Sequence, residues 1–130
     1  MLSAYVGLEV QRRYRLTRAA DFQRVRQEGK AYAHPLLVLI FHPHPEASLR
    51  VGISAGRKLG KAVKRNRAKR LLRAAMQTFL PSLSQKGDIL LIARPALLQA
   101  SFWEIRAALE SLLRRAHLLE SLPPSPTEHL

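Results

Sequence analysis

No cysteine occurs in the sequence, which excludes a disulfide framework and any thiolate metal site, suits a reducing compartment and leads us to expect a cytoplasmic location. Acidic residues are also scarce. Nine Asp and Glu stand against 22 Lys and Arg, for a formal net charge of +13. That excess is far beyond what solubility requires and implies a polyanionic partner, nucleic acid first. The acids are scattered, and none forms the paired carboxylate set that two-metal phosphodiester chemistry needs. No Ser-His or Lys-based nucleophile motif is present either, so the protein alone is expected to do no chemistry. Long apolar runs are missing as well: nothing approaches the roughly 18 consecutive apolar residues of a membrane span, and no membrane partner is expected. Residues 1–10 carry no basic n-region, include Glu9 and run into Gln11-Arg12-Arg13, so they do not read as a signal peptide. His42 and His44 lie in a His-Pro-His-Pro stretch that reads as an exposed loop, and His34, His117 and His129 are isolated. No protein-bound metal or cofactor is therefore expected.

The 130 residues suit one domain with a real core. A helix is expected over 17–29, capped by the Thr17 hydroxyl and closed by a left-handed turn at Gly29, with Phe22 and Val25 on one face. Six apolar residues over 36–41, bounded by prolines, read as a buried strand, and 49–55 reads as the strand paired with it. Residues 30–33 add a short edge strand. A stretch free of Gly and Pro over 61–80, rich in Ala, Leu, Lys and Arg, is helical by composition and is stopped by Pro81. Another apolar strand covers 88–93. Ser101 and Glu104 form a capping box ahead of Phe102, Ile105, Leu109, Leu112, Leu113 and Ala116, which recur at helical spacing. Pro123, Pro124 and Pro126 mark a flexible tail. The order α-β-β-β-α-β-α implies an α+β fold, a single-domain α/β sandwich with helices on a mixed four-stranded sheet. The expected division is an N-terminal extension over 1–11, an RNA-binding domain over 12–119 and a Pro-rich tail over 120–130.

Between Glu46 and Asp88 there is no acidic residue, while half of the 22 basic ones fall there. Along the helix of this stretch, Ala68, Leu71, Leu72, Ala75 and Phe79 line one stripe that must meet the sheet. Asn66, Lys69, Arg70, Arg73 and Gln77 repeat the spacing on the opposite side. Arg67 widens that basic face, and Arg57, Lys58, Lys61, Lys64 and Arg65 thicken the charge at its N-terminal end. A solvated charged helix ordinarily mixes acids with bases at i±4. An unrelieved row repels itself by a few tenths of a kcal/mol per pair, a cost that a polyanion removes. Gly52, Gly56 and Gly60 frame the approach to the helix; alone, that spacing is ordinary turn chemistry.

The stretch LRVGISAGRKLGKAVKRNRAKRLLR over 49–73, with Arg65-Asn66-Arg67 at its centre, resembles the signature of the bacterial ribonuclease P protein subunit. The resemblance extends to Asp21-Phe22, the Gly29 turn, the apolar strand before the loop and Ile92-Ala93-Arg94-Pro95, and covers about 12–118. It implies an auxiliary subunit of a ribonucleoprotein endonuclease that removes 5′ leaders from precursor tRNA, in which the RNA subunit is the catalyst and Mg²⁺ is held mainly by RNA and substrate. Its implied partners are that catalytic RNA, on the basic helix and the residues leading into it, and the single-stranded leader, in a cleft between the first helix and the sheet. The cleft residues by this resemblance are Phe22, Arg26, Val38, Ile40 and Arg94. The resemblance also implies a left-handed crossover at the basic helix, against the right-handed rule that holds for about 98% of such connections. Two positions depart from the pattern: Arg26 and Ile40 stand where aromatics are common. Phe41 cannot substitute for Ile40, because neighbouring strand residues face opposite sides of the sheet. The alternatives are another basic RNA-binding module such as a ribosomal protein, which would lack the Arg65-Asn66-Arg67 register, a membrane-surface or calmodulin-type basic helix with its apolar face exposed, and a free-standing nuclease, against which the missing carboxylate cluster counts.

Overall fold

The computed structural model describes residues 18–44, 48–83 and 85–119. Its elements are α1 (Ala19–Glu28), β1 (Lys30–Ala33), β2 (Leu37–Pro43), β3 (Arg50–Ala55), α2 (Ala62–Gln77), β4 (Gly87–Ala93) and α3 (Phe102–Arg115), with short 3-10 turns at Arg57–Leu59, Leu80–Ser82 and Pro95–Gln99. The α-β-β-β-α-β-α order and the mixed four-stranded sheet are as expected. The expected Thr17 cap, the N-terminal extension and the Pro-rich tail lie outside the described residues.

The sheet order is β1-β2-β4-β3. Residues 49–55 therefore do not pair with β2, as their adjacency in sequence suggested. Instead β4 enters between them, antiparallel to β2 and parallel to β3, with Leu39 and Ile53 both opposite Leu91. The physical reason is β4 itself. Its residues 87–91 and Ala93 are buried, and a strand apolar on both faces is best shielded with a neighbour on each side.

Strand alternation sends the two faces to different partners. Leu37, Leu39 and Phe41 of β2 and Ile89, Leu91 and Ala93 of β4 join the main core with α2 and α3. Ile40 and Leu90 face the other way and form a smaller core with Val25 of α1, flanked by Phe22, Val38 and Ile92. The Ser101–Glu104 capping box closes as expected, with Glu104 N donating to Ser101 Oγ at 3.1 Å and Ser101 N donating to Glu104 Oε1 at 2.7 Å. Gly29 has a different role from the one expected. Its φ of −81° is extended, so no left-handed turn requires it. A Cβ there would lie 2.6 Å from the Val25 carbonyl oxygen and 2.7 Å from the Ile40 side chain, so glycine lets α1 close onto β2.

A charged cluster fastens α1 to the sheet. Asp88, fully buried on β4, accepts from Arg24 Nη2 of α1 at 2.6 Å and from Arg50 Nε and Nη2 of β3 at 2.9 and 3.1 Å. Asp21 stands 3.2 Å from Arg24 and 3.9 Å from Arg50. The hydrogen bond to Asp88 holds the Arg50 guanidinium pKa above its ordinary value against the opposing effect of burial, with further help from the Asp88 and Asp21 charges. Two acids and two bases leave the cluster neutral, but removing one member strands the others. Asp88→Asn is expected to lower unfolding stability by about 3 kcal/mol, the low end for breaking a buried pair, because Arg24 and Arg50 keep some solvent contact. Glu110→Gln, which removes only the i,i+4 pair with Arg114, should cost less than about 0.5 kcal/mol, both read from urea midpoints.

Candidate nucleic-acid interface

After β3 the chain leaves the sheet through a turn built around one buried anchor. Leu59 sits in the main core while Arg57 and Lys58 beside it are exposed. Gly60 follows at φ +117°, a conformation that side-chain-bearing residues rarely adopt. Lys61 is the N-cap of α2, with no side-chain cap hydrogen bond, and no acidic residue occupies the first turn. The free N–H groups and positive dipole end of this helix thus meet Lys61, Lys64 and Arg65, an arrangement of like signs.

Burial confirms the two-sided helix and corrects its edges. Ala68, Leu72 and Ala75 are buried as expected, but Leu71 is only half-buried and Met76 is in the core instead; Phe79 is buried too, in the turn beyond Gln77, where α2 ends short of the expected residue 80. The signal for Met76 was present, four residues after Leu72 and eight after Ala68. Lys61, Lys64, Asn66, Arg67 and Arg70 are exposed, whereas Arg65, Lys69, Arg73 and Gln77 are half-buried. The outer face is therefore centred on Arg67 and Arg70 rather than on Lys69. Val63, exposed at 78%, shares their line at i+4 and i+7.

On the far side of the sheet, α1 leaves a partly open apolar surface. Phe22, Val38 and Ile92 are half-buried around the small core. Ile40 is buried beneath Val25, so it supports this surface from below and does not line it. Ile92, opposite Val38 in the β2–β4 register, is the lining residue that sequence reasoning passed over. Phe41 faces the main core, as strand alternation required. Arg26 is exposed and donates from Nη2 to Ser54 Oγ of β3 at 3.1 Å, crossing the face of the sheet. Arg94, past the end of β4, donates from Nη1 to the His34 carbonyl at 3.0 Å.

The two surfaces meet at the end of β3. Ser54 receives Arg26 from the α1 side, and the carbonyl of the next residue, Ala55, accepts from Arg65 Nε of α2 at 2.9 Å. An apolar patch with cations at its rim thus leads into the basic turn and helix. The ribonuclease P family model matches residues 10–117, which span both surfaces. The chain belongs to the ribonuclease P protein family. Ribonuclease P protein components similar to it include that of Chloroflexus aggregans, 42% identical over 90% of each chain. That of Symbiobacterium thermophilum is 44% identical over 82% of this chain and 94% of its own. Among solved structures, the Staphylococcus aureus RNase P protein superposes with a TM-score of 0.74 at 32% identity, covering 82% of this chain and 98% of that one. The Thermotoga maritima RNase P protein gives 0.70 at 32% identity over the same shares.

The segregated charge of this family member has a measurable cost without any ligand. Arg70 has Arg67 and Arg73 at i±3. Arg70→Glu should therefore raise the melting temperature at low salt by converting two repulsions into attractions, each worth a few tenths of a kcal/mol, and the gain should vanish near 1 M salt.

Proposed function

We propose that the chain is the RNA-binding subunit of a ribonuclease P, attached to the catalytic RNA through residues 57–73 and contacting the 5′ leader of precursor tRNA with the surface between α1 and the sheet. The observation that carries this reading is the outer face of α2 with the turn before it. Exposed Arg57, Lys58, Lys61, Lys64, Arg67 and Arg70 run from the turn along the first half of a helix whose first turn holds no carboxylate. Such a surface is complementary to the closely spaced phosphates of folded RNA. Catalysis in this reading belongs to the RNA, and the protein supplies charge and placement.

Mg²⁺ does not fit Asp21 and Asp88. Both carboxylates are engaged by Arg24 and Arg50, and a guanidinium pair at that point repels a divalent cation. In this reading the ion is held on the RNA side, and the holoenzyme works in the cytoplasm. The leader surface has Phe22 as its aromatic, with Arg26 one turn further along α1. It therefore grips a single strand by one stacking contact, apolar packing and charge.

The direct test is to add the protein to a bacterial ribonuclease P RNA at low Mg²⁺ and follow precursor tRNA cleavage. Stimulation is expected, and its absence rejects the reading. Binding to that RNA should weaken steeply with salt. If about six side chains neutralise phosphates, log K falls against log salt with a slope of roughly −4 to −5, whereas a slope near zero removes 57–73 as the contact surface. Replacing the exposed Arg67 and Arg70 with Ala should weaken attachment to the catalytic RNA while leaving folding nearly intact. Phe22→Ala should reduce affinity for leader-bearing tRNA by about 1–3 kcal/mol and spare leaderless tRNA, with melting recorded in parallel because Phe22 also packs on the small core. A stable Phe22→Ala protein that still discriminates the two substrates as the parent does would remove Phe22 from the leader surface.

A further inference from the structure

Arg65 differs from the exposed Arg67 and Arg70 in where its side chain goes. It precedes Ala68 by three residues and Leu72 by seven, which puts its stem on the sheet-facing side of α2, whereas Arg67 and Arg70 occupy the outer side. It is half-buried, and its Nε donates to the carbonyl of Ala55, the last residue of β3, at 2.9 Å. Ala55 is itself buried and paired with Ala93 in the sheet. The hydrogen bond therefore closes a loop from the end of β3 to the first turn of α2, and that loop contains Arg57, Lys58, Gly60 and Lys61.

We propose that Arg65 is a positioning residue: it acts through the Ala55 carbonyl to hold the 56–61 turn, and with it Arg57, Lys58 and Lys61, in the arrangement that meets RNA, and it is not itself a phosphate contact. The turn needs such a fastening. Its anchors are Leu59 in the core and the short 3-10 hydrogen bonds Leu59 N to Gly56 O and Gly60 N to Arg57 O, while its three cations repel one another. Gly60 adds backbone freedom that must be lost on binding. Fixing the turn before RNA arrives reduces that loss, so the hydrogen bond contributes to affinity without adding a charge contact. The same fastening ends one residue from Ser54, where Arg26 is held, so it also sets the basic turn against the α1 surface.

The inference rests on the RNA-binding reading, and side-chain chemistry separates the two. Glutamine places an N–H donor at the same number of bonds from the backbone as arginine Nε, without charge; lysine keeps the charge but puts a methylene there. If Arg65 positions the turn, Arg65→Gln should bind ribonuclease P RNA within about twofold of the parent and with the same salt slope. Arg65→Lys should then bind about 3–10-fold more weakly, the range of one lost hydrogen bond, again with the slope unchanged. Arg67→Gln, as the comparison, should make the slope shallower by about 0.7–0.9. In the RNA-free protein, backbone amide exchange over 56–60 should quicken in Arg65→Lys and not in Arg65→Gln. The proposal is overturned if Arg65→Lys matches the parent in affinity, or if Arg65→Gln lowers the salt slope by the value of one phosphate. Equal exchange over 56–60 in both variants and the parent overturns it as well. Should the parent bind no such RNA, the proposed function fails, while the exchange comparison still decides whether Arg65 holds the turn.

Discussion

Everything in this fold is arranged around the burial of β4. A strand apolar on both faces has to be covered on both, and its backbone is best satisfied with a neighbour on each side. β2 supplies one neighbour, antiparallel, and β3 the other, parallel. Joining β3 to β4 in parallel obliges the chain to travel the length of the sheet between them, and α2 is that passage. The basic helix is therefore a structural connector first. Its core stripe, Ala68, Leu72, Ala75 and Met76, covers the sheet with Phe79 just past its end, and the remaining circumference is free to carry charge.

The opposite face of the sheet is handled with less apolar material. α1 contributes Val25 as its fully buried residue, and the cluster of Asp21, Arg24, Arg50 and Asp88 supplements that small contact. A buried carboxylate is expensive to desolvate, and its two arginines, drawn from α1 and β3, offset the cost only in one arrangement of helix and sheet. Such a cluster specifies position more than it adds stability. Its effect is to settle α1 over one end of the face, leaving Phe22, Val38 and Ile92 half-exposed beside Arg26.

Charge is used in two opposed ways in one small chain. Around Asp88 acids and bases are paired and locally neutral. Over 57–73 bases accumulate with no acid, at the helix end where positive charge is least favourable. The first arrangement serves the folded state alone. The second lowers its stability and is relieved by a polyanion, which is why charge of this kind points to a partner rather than to the fold. The two regimes touch at β3, whose first residue, Arg50, belongs to the cluster and whose last two, Ser54 and Ala55, receive Arg26 and Arg65.

Much of this was legible in the residues themselves. Local signals specify the elements: apolar runs for the strands, bounded by prolines in β2, the Ser101–Glu104 box for α3, and the absence of Gly and Pro for α2. Helical periodicity then separates the core stripe of α2 from its basic face, since burial and charge repeat with the same period and must fall on different sides. Identification with the ribonuclease P proteins also follows from local order, because Arg65-Asn66-Arg67 has a fixed register to the strand and glycines before it. Pairing between strands is different. Residues 49–55 are nearest β2 in sequence, yet β4 lies between them, because shielding both faces and both edges of the most apolar strand outweighs a short connection. The Asp88 cluster joins residues 21, 24, 50 and 88, whose spacing carries no periodic signal. Gly29 is required by its distance to Ile40, a contact between elements that no local turn rule reports. The hydrogen bond of Arg65 to Ala55 was hidden for the same reason. The sequence shows nine cations in one segment, and only the packing of α2 on β3 decides which of them turns inward.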